Sequence, residues 1–198
     1  MSPLLLIPAA GAARRMRGAD KLLETIGGTP LLRRQTMAAM TTGCPVVVTL
    51  PEGASDRRDV LRGLAIRIET VPEAAEGMSA SLRHGAGLLD EGQSLGILLP
   101  DVPGVTCGDI LAVLDAFRGT GETRPTRAGA KGLDVPGTPV FLPHATAKRL
   151  AELTGEQSGR ELLTGQTAFV RFPDDRAIRD LDTPEDWAAW RAETNTPD

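Results

Sequence analysis

The chain has 198 residues, which is long enough for one domain with a substantial hydrophobic core. Its net charge of −4 argues against a nucleic-acid partner, and its apolar content of 41% is ordinary for a globular protein. The apolar run at 4–10 is too short to span a membrane and lacks the basic flank of a secretion signal. The two cysteines, Cys44 and Cys107, have no CxxC spacing and suit a reducing compartment. We therefore expect a cytoplasmic protein with no nucleic-acid or membrane partner.

Short apolar runs alternate with amphipathic segments along the chain. The apolar runs predict strands over 4–8, 45–50, 65–70, 95–99, 138–142 and 168–172. The amphipathic segments predict helices over 31–40, 56–63, 79–91, 107–117, 145–153, 159–163 and 184–193. Several runs are continuously apolar, as in strands that are buried on both faces. The alternation predicts the α/β class, with a three-layer, mostly parallel, Rossmann-like sheet.

Ligands of such sheets bind beyond the carboxyl ends of the strands, which directs attention to the loops that follow them. The loops that matter most are 8–21, 70–79 and 100–106. The stretch 118–139 is rich in Gly, Pro, Thr and charged residues. It can be read as a mobile surface loop or as a flap on the substrate side of the site.

The loop after the first strand combines very small residues with cations. Small side chains let the backbone amides approach a ligand, and arginine and lysine side chains bind phosphate, so the combination suits a polyphosphate. The loop contains neither GxxxxGK[ST] nor GxGxxG, which excludes two common phosphate motifs. A solvated basic loop is the alternative. The residues concerned are Ala9, Ala10, Gly11, Ala12, Ala13, Arg14, Arg15, Arg17 and Lys21.

The segment IPAAGAARRMRGADKLL resembles the first motif of the molybdopterin nucleotidyltransferases, which belong to the wider group of nucleotide-diphospho-sugar transferases. Two positions depart from the family pattern: Ala13 replaces a serine, and Arg17 replaces a glycine. The resemblance implies that the loop amides and Arg15 hold the triphosphate and that Lys21 reaches the α-phosphate. The positions that match are Ala9, Ala10, Gly11, Arg15, Met16, Gly18, Asp20 and Lys21.

Asp101 stands between two prolines in LLPDVPGVT (98–106), directly after an apolar run. Taken alone, it could be an aspartate in a turn, since Asp and Pro are both common there. Magnesium bound to nucleotide phosphates usually takes one or two protein carboxylates. The stretch resembles the L-x-D-x-P metal motif of the same family, which implies that Asp101 binds Mg²⁺ and takes part in catalysis.

A second acidic stretch, RDLDTPEDW (179–187), resembles the C-terminal D-(I/L)-D-T-P-E-D element of these enzymes. The resemblance makes Asp182 the second metal ligand, with Asp180 a weaker candidate. Thr183 and the acids that follow it also fit the start of a helix, with Thr183 as the N-cap.

Three further stretches resemble family elements, with departures. PEAAEGMSASLRHG (72–85) is similar to the nucleoside-binding element, which implies contacts from Gly77 and Ser79; a plain helix cap at Ser79 is the alternative. On the acceptor side, GTPVFLP (137–143) has Thr138 where the family has histidine. GEQSGRELL (155–163) has Glu156 where the family has aspartate.

The tetrad Pro8-Ala9-Ala10-Gly11 resembles the cytidylyl-transferring branch of the family, and a Cβ at position 10 narrows the space beside the base. The resemblance implies Mg²⁺-dependent transfer of CMP from CTP to the terminal phosphate of molybdopterin, by in-line attack with loss of pyrophosphate. A molybdoenzyme of the xanthine dehydrogenase class is the implied recipient. The alternatives are GTP or another NTP, a different phosphorylated acceptor, or a catalytically weak protein that binds or delivers the cofactor.

We expect one nucleotidyltransferase domain over residues 1–198. Within it, residues 1–106 are expected to bind the nucleotide and residues 107–178 the acceptor. Residues 179–194 are expected to supply the C-terminal metal motif and the last helix.

Overall fold

A central β-sheet is flanked by α-helices, six of which lie in the described part of the chain. The computed structural model describes residues 1–11, 16–17, 19–132, 135–155, 157–163 and 167–194. The strands are β1 (Leu4–Pro8), β2 (Thr25–Ile26), β3 (Thr29–Pro30), β4 (Val46–Pro51), β5 (Arg67–Val71), β6 (Leu95–Ile97), β7 (Thr126–Ala130), β8 (Pro136–Leu142) and β9 (Ala168–Phe172). The α-helices are α1 (Leu31–Met40), α2 (Ser55–Val60), α3 (Met78–Gly87), α4 (Cys107–Gly119), α5 (His144–Lys148) and α6 (Pro184–Thr194).

Seven strands make one mixed sheet in the order β5-β4-β1-β6-β8-β7-β9, and β2 pairs with β3 in a separate hairpin. Only β8 runs against its neighbours, since its pairings with β6 and β7 are antiparallel and the other pairings in this sheet are parallel. The predicted α/β class with a mostly parallel sheet is therefore confirmed. The carboxyl ends of β1, β4 and β6 share one edge, where ligands of such sheets bind.

Much of the stretch 118–139 lies in the sheet, rather than in a mobile surface loop or a flap. It contains all of β7 and the start of β8, and the five residues of β7 are buried. Its small residues allow close packing: a Cβ at Gly129 would lie 3.3 Å from a ring atom of Phe169 and 3.5 Å from the carbonyl oxygen of Val135. Small residues that look like a loop in sequence here fill a crowded strand between two neighbours.

Side chains of β1 enter two hydrophobic clusters on opposite faces of the sheet, which gives the three layers. Leu5 and Ile7 pack in the larger cluster, whereas Leu4 and Leu6 pack in the smaller one. The larger cluster also contains Trp187 of α6. Among the described residues, no helix is both long and apolar enough to cross a bilayer.

Capping boxes fix the helix that follows each acidic loop. At α4, the Thr106 hydroxyl accepts a hydrogen bond from the Asp109 amide, and the Asp109 carboxylate accepts one from the Thr106 amide. At α6, the Thr183 hydroxyl accepts from the Asp186 amide at 3.1 Å, and Asp186 Oδ2 accepts from the Thr183 amide at 2.9 Å. The predicted cap at Thr183 is thus confirmed, and it holds the helix start directly after Asp182.

Candidate active site

Two acidic loops meet beyond the carboxyl end of β6. Asp101 follows β6, Asp180 and Asp182 precede α6, and the Leu181 amide donates a hydrogen bond to the Asp101 carbonyl at 3.1 Å. One carboxylate oxygen from each of the three aspartates lies within 4.8 Å of the others. The main-chain contact holds the loops together, so the cluster does not depend on side-chain attraction alone.

Lys21 lies between two of these carboxylates. Its Nζ atom donates hydrogen bonds to Asp101 Oδ2 at 2.7 Å and to Asp182 Oδ1 at 2.6 Å. The three side chains are only 17%, 22% and 14% exposed, respectively. Burial by itself lowers the pKa of Lys21, but the charges and hydrogen bonds of Asp101 and Asp182 outweigh it and raise that pKa above its ordinary value. Lys21 is therefore a firmly held cation.

The aspartate cluster has the properties of a divalent-metal site. Partial burial, followed by the negative charges of Asp182 and Asp101, raises the pKa of Asp180. The Oδ1 atom of Asp101 is buried and accepts no hydrogen bond from any described residue. A buried carboxylate oxygen without a donor is rare in folded proteins, and carboxylate oxygens are the ligands that Mg²⁺ and Mn²⁺ prefer. Asp101 and Asp182 therefore fit a divalent cation, with Asp180 at the exposed rim.

A cavity of about 600 Å³ opens beside this cluster. Among the predicted site residues, Ala9, Ala10, Gly11, Lys21, Gly77 and Asp101 line it. Gly77 has a φ of 110°, in the region that favours glycine, and this conformation brings the backbone to the cavity wall just before α3. The sheet edge thus brings together the segments that follow β1, β5 and β6.

Two residues predicted to bind the nucleotide, Ser79 and Arg15, are not found at the cavity. Ser79 lies elsewhere, and Arg15 is not described. Ser79 is fully buried, and its hydroxyl donates a hydrogen bond to the Gly155 carbonyl at 2.6 Å, so it neither lines the cavity nor caps α3. Ser81, two residues further along α3, does line the cavity. Arg15 lies outside the described residues, and its proposed role stays a prediction.

Arg57 of α2 also lines the cavity and was missed by the sequence analysis. Its guanidinium donates to both carboxylate oxygens of Asp20, at 2.6 and 3.0 Å. It also donates to the carbonyls of Ala9 and Gly11, at 2.6 and 2.9 Å. In the sequence, Arg57 belongs to a short polar segment typical of a solvent-exposed helix, so no motif indicated a role in the site.

Two of the departures from the family pattern have defined positions in the structure. Arg17, which replaces a glycine, has a φ of 52°, and its guanidinium pairs with Glu185 Oε1 at 2.7 Å. Thr138, which replaces a histidine, is buried, and its Oγ1 atom accepts a hydrogen bond from the Leu99 amide at 2.9 Å. Glu156 lies outside the part of the chain that the structure describes.

Several solved structures share this fold along almost the whole chain. A nucleotidyl transferase from Methanothermobacter thermautotrophicus superposes with a TM-score of 0.80 and 18% identity, covering 97% of each chain. Rv0371C of Mycobacterium tuberculosis H37Rv, in complex with manganese, superposes with a TM-score of 0.78 and 20% identity, covering 96% of this chain and 97% of that one. CMP:2-keto-3-deoxy-manno-octonic acid synthetase, complexed with CTP, superposes with a TM-score of 0.72 and 12% identity, covering 98% of this chain and 99% of that one. No curated protein matches the sequence significantly.

The sequence pattern of one protein family matches most of the chain. The MobA-like NTP transferase domain aligns with residues 5–170, a span that includes the cavity-lining residues of the first loop, Lys21 and Asp101. With that match, and with a sheet whose relatives include nucleotidyltransferases, the chain belongs to the MobA-like NTP transferase family.

Proposed function

We propose that this nucleotidyltransferase moves CMP from CTP to the terminal phosphate of molybdopterin and releases pyrophosphate. The observation that carries the transferase chemistry is the position of Lys21. Its ammonium lies 2.7 Å from Asp101 and 2.6 Å from Asp182, at the rim of a cavity lined by Ala9, Ala10 and Gly11. The arrangement suits the transfer of a nucleotidyl group. It combines a cation for the phosphate charge, two carboxylates for a metal ion, and a backbone with very small side chains that a triphosphate can approach.

Each chain element has a separate task in this proposal. The backbone of residues 9–11 and the guanidinium of Arg15 bind the triphosphate. Lys21 stabilises the charge that develops on the α-phosphate. Asp101 and Asp182 hold Mg²⁺, which supplies Lewis-acid stabilisation of the phosphate oxygens when bound. The acceptor phosphate is already ionised at neutral pH, so no side chain has to remove a proton from it.

Mg²⁺ is the proposed metal because the donor set consists of hard carboxylate oxygens and the substrate carries phosphates. The Oδ1 atom of Asp101 is buried and accepts no hydrogen bond within the described part of the chain, which supports a cation at this position. The relative Rv0371C, which has the same fold, was solved in complex with manganese. Mg²⁺ and Mn²⁺ share octahedral oxygen coordination, so Mn²⁺ can serve as a spectroscopic substitute.

CTP is the proposed nucleotide because the cavity wall at position 10 is closed by a side chain. Ala10 is 4% exposed and packs with Val71, Ala74 and Ala80, so its methyl group cannot move aside easily. A relative of the same fold was solved with CTP. A methyl group in a pocket gives about 1–3 kcal/mol of discrimination, which is enough for preference and too little for exclusion.

Molybdopterin is the proposed acceptor on the strength of the sequence motifs, with a molybdoenzyme of the xanthine dehydrogenase class as the recipient. Both cysteines are free thiols, which supports a reducing compartment such as the cytoplasm. One observation favours a different phosphorylated acceptor as the second candidate. Thr138 is 3% exposed and bonded to the backbone of Leu99, so it cannot replace the histidine of the family as an acceptor contact.

Thermal unfolding with CTP, GTP, ATP and UTP, each with and without Mg²⁺, tests the nucleotide. We expect CTP with Mg²⁺ to give the largest rise in melting temperature, because a ligand that binds only the folded state stabilises it in proportion to its affinity. A larger rise with GTP would overturn the choice of base. Asp101→Asn should abolish the Mg²⁺-dependent part of the shift, whereas Asp115→Asn, on the exposed surface of α4, should leave it intact.

Release of pyrophosphate from CTP on addition of purified molybdenum cofactor tests the acceptor. We expect release that depends on both the cofactor and Mg²⁺. Binding of CTP without such release would favour the second candidate, and other phosphorylated acceptors would then be assayed in the same way.

A further inference from the structure

One guanidinium connects the two sides of the first loop, residues 8–21. Arg57 projects from α2 with its side chain 8% exposed and makes four hydrogen bonds to described residues of that loop. Its Nη1 atom reaches the carbonyls of Ala9 and Gly11 near the start of the loop. Its Nε and Nη2 atoms grip the carboxylate of Asp20 near the end. A planar fork with five N–H donors is needed to make all these contacts at once, which lysine cannot do.

These contacts change the charge that the loop presents to a ligand. The carbonyl oxygens of Ala9 and Gly11 carry partial negative charge, and the carboxylate of Asp20 carries a full one. All three are turned toward Arg57, at distances of 2.6 to 3.0 Å. Without the guanidinium, they would repel a polyphosphate in the adjoining cavity, whose wall includes Ala9, Gly11 and Arg57.

The same contacts also reach Lys21 through its neighbours. Asp20 Oδ1, which accepts a hydrogen bond from Arg57, also accepts one from the Leu22 amide at 3.0 Å. Lys21 stands between these two residues, so the backbone on either side of it is fixed to one carboxylate. Fixed neighbours reduce the backbone freedom of Lys21 and keep its ammonium directed at Asp101 and Asp182.

We propose that Arg57 is a positioning residue for nucleotide binding: it holds Ala9, Gly11 and Asp20 so that the cavity wall beside them accepts a nucleoside triphosphate and Lys21 points at its α-phosphate. This inference rests on the proposed function in its choice of ligand. It extends that function to a residue of α2, a helix that carries no part of the family motifs described above.

Arg57→Met and Arg57→Lys test the role. In Arg57→Met, we expect KM for CTP and the Kd of the non-reacting CTP complex to rise on the order of 10- to 100-fold, with a smaller fall in kcat. Arg57→Lys keeps the charge but loses the fork, so its values should lie between. Arg58→Met is the matched control, because Arg58 is the next residue of the same helix and its guanidinium bonds the hydroxyl of Thr70 on β5. Its KM and kcat should equal those of the wild type.

Chemical rescue separates positioning from general loss of structure. Millimolar guanidinium should restore part of the CTP affinity of Arg57→Gly, whereas the same concentration of methylammonium should not. In a double-mutant cycle, Asp20→Asn should add little to the loss in Arg57→Met, because the Arg57–Asp20 contact is already broken in Arg57→Met. Additive losses, or equal rescue by the two ions, would contradict the inference.

The outcomes also distinguish this inference from the proposed function. If the wild type binds no nucleoside triphosphate, the proposed function fails and the inference fails with it. If the wild type binds CTP and Arg57→Met or Arg57→Lys binds it with unchanged KM and Kd, only the inference is wrong. Should Arg57→Met fail to fold, the Arg57→Lys values and the rescue of Arg57→Gly decide between the two.

Discussion

The Leu181 amide donates a hydrogen bond to the Asp101 carbonyl, and this main-chain contact joins the two loops that carry the candidate metal ligands. β8 holds the same loop four residues before Leu181: the Thr138 amide donates a hydrogen bond to the Ala177 carbonyl at 2.8 Å. The antiparallel strand therefore supports the segment that brings Asp182 to the site. Disturbing β8 at this point should affect metal binding without touching any ligand.

Gly137→Ala tests this support. A Cβ at Gly137 would lie 2.3 Å from the Ala177 carbonyl oxygen and 2.8 Å from its carbon, so the backbone would have to move. We expect the free energy of unfolding, measured with urea, to fall by about 1–3 kcal/mol. Mn²⁺ binding, measured by electron paramagnetic resonance, should weaken as well. Gly119→Ala is the control, because a Cβ there would meet no described residue within 4 Å beyond its chain neighbours and its own helix backbone. Equal stability of the two variants would contradict this reading.

Lys21→Met should separate metal binding from catalysis. The ammonium lies within 2.7 Å of Asp101 and Asp182 and competes with a divalent cation for their charge. Without nucleotide, we expect the variant to bind Mn²⁺ about tenfold more tightly than the wild type, a difference of roughly 1.4 kcal/mol. Turnover should nevertheless fall, because the α-phosphate loses its cation. Titration by electron paramagnetic resonance measures the first effect; weaker Mn²⁺ binding in the variant would refute it.

Arg17→Gly should be neutral or slightly stabilising. At a φ of 52°, a residue with a Cβ costs roughly 1–2 kcal/mol relative to glycine. The ion pair with Glu185 offsets little of this, because both side chains are well exposed, at 73% and 62%. Arg17→Val loses the same ion pair and places a β-branched side chain at this φ, so it should be less stable than Arg17→Gly. Melting temperatures test both comparisons. An Arg17→Gly variant clearly less stable than the wild type would show that the ion pair outweighs the backbone cost, and an Arg17→Val variant more stable than Arg17→Gly would show that there is no backbone cost at this position.

Asp186 should make the start of α6 sensitive to acid. Hydrogen bonds from the side chain and amide of Thr183 hold its pKa below the ordinary value of 3.8. A lowered carboxylate pKa contributes stability that is present above the unfolded value and is lost as the pH falls through the folded value. Wild-type protein should therefore exceed Asp186→Asn in stability at pH 6, and the gap should close below pH 3.8. Urea unfolding at several pH values measures the gap; a constant gap would exclude this cause.

The parts of the fold that the sequence predicted best are those with strong local signals. β1 and β9 have the predicted bounds. Their sequences, LLLIP and AFVRF, are rich in aliphatic or aromatic residues and strongly favour a strand. β7 was missed, because its residues TRAGA owe their burial to neighbouring strands rather than to their own apolar character. The reversed direction of β8 could not be foreseen either, since strand direction depends on how the whole sheet is connected.

The candidate site shows the same division. Lys21, Asp101 and Asp182 were singled out by motif, and the structure brings them within hydrogen-bonding distance. Arg57 carried no motif, because its partners are two carbonyl groups and a carboxylate that lie more than 30 positions away in sequence. Ser79 matched a motif position, yet α3 turns it toward Gly155 and away from the cavity. The orientation of a helix about its own axis depends on packing, which the motif did not contain.

The distances along the chain between the charged groups have a consequence for biosynthesis. Lys21 is separated by 80 positions from Asp101 and by 161 from Asp182. A chain emerging from the ribosome can pair β1 with β4 and β6 early, but Lys21 gains its second carboxylate only after residue 182 has left the exit tunnel. The reactive arrangement is thus among the last contacts to form, so a prematurely terminated chain that stops before α6 should be inert even where its sheet has begun to assemble.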